Sequence, residues 1–168
     1  SFLYGGGSLT AALSLAPALA MGGTVVEISM AGRADGSKVW FDPYGILIRP
    51  GDSIRWTNRD KSNSHTATAY APEIDDRPRR IPAGAKPLDS DYLLPGESFE
   101  VTLTVPGVYD FYCVPHEMAG MVGRIIVAQP GDTAFQDYAA GDLPQAALDA
   151  MPSIADVLGK SPMRHTEG

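Results

Sequence analysis

The strongest constraint on this chain is its punctuation. Short runs with period-two alternation are cut by Pro-Gly pairs at 50–51, 95–96, 106–107 and 130–131. Proline presets the backbone angle of the first turn position and glycine accepts the positive φ that the next one requires, so each pair reverses the chain. With 18 Gly and 14 Pro in 168 residues, long helices have no room and short strands are the expectation. The runs at 25–30, 46–49, 53–58, 98–105, 108–113 and 122–127 supply them, each half apolar in alternation. Strands this short and this often reversed predict an all-β domain in which two sheets pack as a sandwich. The chain is long enough for one such domain and an extra segment.

Three stretches fall outside that pattern. Residues 1–20 carry no charge and end on the small-x-small sequence Ala18-Leu19-Ala20, as an export signal does. Ser1-Phe2-Leu3 is similar to the residues that follow the paired arginines of a twin-arginine (Tat) signal. About 20 apolar residues also suffice to cross a bilayer. Residues 1–21 are therefore expected to be an export signal or a retained membrane anchor. The stretch 71–94 holds four prolines and no periodicity, and reads as a long surface excursion. After Pro130 come two short helical patterns. Pro144 opens the first; Ser153 caps the second, with Asp156 in its first turn and Gly159 as its stop. Helices of that length need a surface to pack on. Leu143, Leu148, Met151, Ile154, Val157 and Leu158 are the anchors, and residues 130–168 are expected to dock a partner, the alternative being that they fold back on their own sheet.

Thirteen Lys and Arg against 20 Asp and Glu leave a net charge of −7, which argues against nucleic acid as a partner. A single Cys excludes an internal disulfide. That cysteine carries the chemistry. Cys113-Val-Pro-His116, with Met121 five residues on, lies where a strand passes into a loop, and His65 comes from a separate loop. Taken singly, each is bland: a strand-end Cys is a small hydrophobe, a lone His a surface residue, and Met118 or Met121 a gap-filler. Together, two imidazoles and a thiolate with a weak thioether are the ligands of a blue-copper electron-transfer centre. Structural zinc sites favour two or more thiolates and no Met, so copper is the better fit. Protein fills every position, whereas an enzyme keeps one open. His165 lies apart in the polar tail, a bystander or partner contact.

The stretch from Gly107 through Cys113-Val-Pro-His116-Glu-Met-Ala-Gly-Met121 to Val127 resembles the ligand loop and last strand of plastocyanin. Ile48-Arg-Pro-Gly-Asp-Ser-Ile-Arg-Trp-Thr-Asn58, with Ser64-His65-Thr66, is similar to the strand and loop that bring the first histidine in plastocyanin, pseudoazurin and amicyanin. The family is the cupredoxins. The resemblance covers residues 22–129 and implies a Greek-key β-sandwich with one type-1 copper on His65, Cys113, His116 and Met121. It also implies that Met118 is not the axial ligand, and that one edge of His116 reaches the surface as the electron port. Tyr112 falls on the tyrosine that belongs to a second, acidic docking patch in plastocyanins. Thr66 stands where these families place Asn to tether the ligand loops, which leaves the rigidity of the site in question. The function implied is single-electron transfer between redox partners in the periplasm or another extracytoplasmic space. A c-type cytochrome, an oxidase or a dehydrogenase with a basic face would suit the acidic charge. The alternative is a module that delivers copper to an oxidase, which would bind with exposed Met and His. A copper enzyme such as a nitrite reductase is disfavoured, since His165 alone cannot build a second centre.

Overall fold

A computed structural model describes residues 22–166. Eight strands run in the order β1 Val25–Gly32, β2 Val39–Asp42, β3 Gly45–Ile48, β4 Ser53–Asn58, β5 Thr68–Ala69, β6 Ser98–Thr102, β7 Gly107–Tyr112 and β8 Val122–Val127. A 3₁₀ helix at Val114–Ala119 follows β7, and α1 Gln145–Ala150 and α2 Ile154–Lys160 follow β8. The first sheet has the order β2-β1-β4-β6 and the second β3-β8-β7-β5. β1 runs parallel to β4 and β3 parallel to β8, while the other pairs are antiparallel. The fold is a mostly-β sandwich of two mixed sheets. The turns at 50–51 and 95–96 form as expected, with φ of 96° at Gly51 and 89° at Gly96. The run at 98–105 is a strand only to Thr102. The expected signal or anchor at 1–21 lies outside the described residues, among which no helix is long and apolar enough to cross a membrane.

The core forms where the inward faces meet. Trp56 on β4 and Phe41 on β2 both meet Phe111 on β7 edge-on, with ring centroids 5.4 and 4.8 Å away. Ile28, Met30, Ile54, Ile46 and Ile125 close around them. Gly123 faces Phe111 across the β7–β8 pair. A methyl group there would come within 2.3 Å of the Phe111 ring, so glycine leaves the space the ring fills.

Residues 71–94 are not the surface loop expected from their prolines. Ile81, Ala85, Leu88 and Leu93 are buried in the main core. Backbone pairs tie the segment down, among them the Ala69 N–H to the Leu88 carbonyl at 2.8 Å and the Arg80 N–H to the Tyr70 carbonyl at 2.9 Å.

Leu143 and Val157 are buried against the chain's own sheet, with Leu148, Met151, Ile154 and Leu158 partly buried beside them, so the anchors fold back on the sheet, the alternative reading, and do not stand exposed for a partner. The outward positions of β7 and β8 pair as Tyr112 with Val122, Asp110 with Arg124 and Val108 with Ile126. Two of these pairs are apolar, and an apolar sheet face has to be covered. Leu143 and Ala147 pack on Tyr70, Tyr112 and Val122. Val157 packs on Val108, Ile126 and Ala128. Between the two clusters, the buried Asp110 carboxylate accepts from Arg124 at 2.7 and 2.9 Å and from Arg80 at 2.9 Å. The same guanidiniums reach the tail, Arg124 donating to Asp137 at 2.7 Å and Arg80 to the Ala139 carbonyl at 2.6 Å. Ser153 caps α2 as expected, its hydroxyl accepting the Asp156 N–H at 3.1 Å. Gly159 does not stop that helix, which continues to Lys160.

Candidate metal centre

Four elements bring the site together. Cys113 directly follows β7, and its N–H donates to the Met121 carbonyl at 3.0 Å, which folds the loop between them into a tight excursion. The 3₁₀ helix fills that excursion and closes at Gly120, whose φ of 77° is a left-handed turn that returns the chain into β8. His65 comes from the far side. It exchanges backbone hydrogen bonds with Leu93 at 3.1 and 2.8 Å, so residues 71–94 brace the loop that carries it.

The donor atoms of three of the four residues singled out from the sequence converge. His65 Nδ1 lies 3.2 Å from His116 Nδ1, and Cys113 Sγ lies 3.6 and 3.4 Å from the two nitrogens. A point equidistant from three atoms so placed is about 2 Å from each, the length of a metal–imidazole bond, so the set fits one ion in its plane. Among the described residues this is the one His, Cys, Asp and Glu cluster with such spacing. Met121 is fully buried beside Cys113, whereas Met118 is 75% exposed. His165 is elsewhere, its ring 4.4 Å from that of Tyr44.

The neighbours of the ligand atoms are polar and fixed. Thr66 ties the two loops together, the task that the resemblance gives to Asn. Its N–H donates to Cys113 Sγ at 3.3 Å and its hydroxyl accepts the Val114 N–H at 2.9 Å, so one residue spans both ligand loops. Burial pushes the Cys113 thiol up to about 11, and the hydrogen bonds from Thr66 and His116 only partly offset it. The thiol therefore needs a metal to lose its proton at neutral pH. Burial, and then the neighbouring His65, hold His116 below the ordinary histidine value, which keeps its ring neutral and its lone pair free.

Sequence reasoning missed two further groups. Asp60, 3% exposed, accepts from His65 Nε2 at 2.9 Å. Burial alone would raise its carboxyl, but hydrogen bonds from Asn63, Ser62 and His65 outweigh that and bring it down to about 2. Glu117, in the 3₁₀ helix, accepts from the Tyr70 hydroxyl at 2.8 Å and from Arg77 at 2.5 Å, pinning the ligand loop to residues 70–77. The signal for Asp60 was the polar run Asn58-Arg-Asp-Lys-Ser-Asn63 ahead of His65, typical of side chains that hydrogen-bond the backbone of their own turn.

His65 and Cys113 are fully buried, and His116 alone of the three reaches solvent. Around it the loop presents Val114 and Met118, at 38% and 75% exposure. Tyr112 departs from its expected place on a second docking patch. It is 3% exposed, stacked on Tyr70 at 4.3 Å, and shares a buried cluster with Leu143 and Ala147. Helix α1 lies where such a patch would open.

Residues 28–128 match the family model described as copper binding proteins of the plastocyanin/azurin family. The chloroplastic plastocyanin of Hordeum vulgare is 34% identical over 123 residues, 70% of this chain and 74% of that protein. The major plastocyanin isoform of Arabidopsis thaliana is 35% identical over 120 residues, 70% of this chain and 69% of its own length. Among solved structures, the pseudoazurin of Sinorhizobium meliloti superposes with a TM-score of 0.58 at 26% identity, over 83% of this chain and 98% of that one. The pseudoazurin of Methylobacterium extorquens AM1 gives 0.50 at 28% identity, over 74% and 94%. A buried His-Cys-His set with Met121 beside it, in a sandwich of this topology and with these relatives, is a type-1 copper arrangement, and the chain belongs to the plastocyanin/azurin family of copper-binding cupredoxins.

Proposed function

We propose that His65, Cys113, His116 and Met121 hold one copper ion and that the protein carries single electrons between redox partners outside the cytoplasm. One observation carries this reading: three donors meet in a buried cluster of which only His116 touches solvent, inside a rim of exposed apolar side chains. Bound copper supplies a one-electron couple there. The chain supplies the rest. Cys113 and Met121 favour the reduced ion and the imidazoles accept both states. Thr66 and Glu117 fix the two ligand loops, so little has to move when an electron arrives. The His116 edge is the short way from the centre to the surface. With protein at all four ligand positions no substrate has a place to bind, which makes this a carrier and not a catalyst.

With Tyr112 covered, donor and acceptor use the same face and therefore exclude one another. A net charge of −7 suits partners with a basic surface, such as a c-type cytochrome, an oxidase or a dehydrogenase. Met118→Lys tests the port, because it places in the apolar rim a charge that repels a basic partner, without touching a ligand. Stopped-flow oxidation of the reduced protein by a basic c-type cytochrome should slow about tenfold or more, with the reduction potential unchanged. An unchanged rate would place the exit elsewhere.

A further inference from the structure

The Asp60–His65 pair lies behind the proposed ligand set, on the side away from the port. His65 turns Nδ1 towards Cys113 and His116, and turns Nε2 to the Asp60 carboxylate at 2.9 Å. The carboxylate is held on all sides. The Ser62 N–H donates to Oδ1 at 2.8 Å and Asn63 Nδ2 donates to Oδ2 at 2.9 Å, while the Asp60 N–H donates to Asn58 Oδ1 at 3.0 Å. Asn58 is itself tied down, its amide donating to the carbonyls of Asn63 and Leu93 at 2.9 Å each. β1 makes room for the group. A Cβ at Gly32 would lie 2.1 Å from Asp60 Oδ2, so only glycine at that position admits the carboxylate.

We propose that Asp60 is a positioning residue that fixes His65 as the Nε2–H tautomer and, by drawing on that proton, makes Nδ1 a stronger donor and lowers the reduction potential of the copper centre. A charged acceptor forms roughly twice as strong a hydrogen bond as a neutral one. Carboxylate behind imidazole is the arrangement by which outer partners orient a ligating histidine and raise its basicity. The more basic donor favours Cu(II) over Cu(I), since the higher charge gains more from added electron density. The electron carried at this centre is therefore easier to release than it would be with a neutral group behind His65.

The inference rests on the copper reading of the site, and its test separates the two. Asp60→Asn keeps the shape and removes the charge. Loss of an outer partner of this kind costs about 10- to 100-fold in metal affinity. If Cu(II) bears tenfold more of that loss than Cu(I), the potential rises by about 59 mV, the one-electron equivalent of tenfold. Asn63→Ala keeps the carboxylate and removes the donor that competes with His65 for Oδ2, so its potential should fall. Loosening of the loop would move both variants the same way. In the copper-free protein, a nitrogen–proton correlation spectrum should show His65 protonated at Nε2 in the wild type and mixed in Asp60→Ala. That arm needs neither metal nor turnover. An unmoved potential in Asp60→Asn, or a rise in Asn63→Ala, with the wild type blue, would overturn this proposal alone. A wild type with no blue band would remove the copper reading and this proposal with it.

Discussion

Truncating two side chains of the tail measures whether residues 130–168 belong to the fold. Leu143 lies 6% exposed against Tyr70, Tyr112 and Val122, and Val157 lies fully buried against Val108, Ile126 and Ala128. Leu143→Ala removes three of the four side-chain carbons near the edge of its cluster. The lower end of the range for buried Leu→Ala applies, about 2–3 kcal/mol. Val157→Ala deletes two methyl-sized groups, at about 0.8 kcal/mol each, and leaves a small void, for about 2 kcal/mol in all. The clusters share no residue, so the double variant should lose about 4–5 kcal/mol. At about 2–4 °C per kcal/mol for a domain of this size, its melting temperature should fall by about 8–20 °C. Urea unfolding followed by tryptophan fluorescence is the assay, with Trp56 in the core as reporter and the m-value expected to hold. The blue band should survive at low temperature, because neither residue touches a ligand. A double variant within 0.5 kcal/mol of the wild type, or one that unfolds in two separate steps, would show that the tail is not part of the cooperative sandwich.

Two further outcomes follow from the buried charges. Asp110→Asn leaves Arg80 and Arg124 buried without their shared carboxylate, and should cost about 3–5 kcal/mol in the same unfolding assay while the copper spectrum stays as it was. Copper binding should displace a proton from Cys113 at every pH below about 11, so apparent affinity should rise about tenfold per pH unit between roughly pH 7 and 9 in competition with a pH-insensitive chelator. A flat profile would mean that the thiol is already ionised in the free protein.

The sandwich was legible because its cues are local. Pro-Gly pairs and alternation act within a few residues, and they mark β4 and β8 to the residue. The donor cluster was legible for a different reason: Cys113 and His116 sit in one loop with Met121, and only His65 had to be brought from afar. What stayed hidden depended on contacts distant in sequence. The prolines of 71–94 signalled turns correctly but carried no information on where Ile81 or Leu93 would be buried. The cover on the second sheet did have a trace in the sequence. Val108, Tyr112, Val122 and Ile126 occupy outward positions that are polar when a sheet faces water, and Asp110 with Arg124 is the one charged pair among them. Asp60 left only the trace of the polar run 58–63, since a carboxylate behind a ligand obeys no metal-ligand spacing.

The most direct test of the central claim is the absorption spectrum of the protein loaded with stoichiometric Cu(II). Thiolate-to-copper charge transfer in a trigonal His-Cys-His set gives an intense visible band, so the wild type should be deep blue and Cys113→Ser colourless. A wild type that binds copper without that band, or a band that persists in Cys113→Ser, would contradict a type-1 centre at these residues.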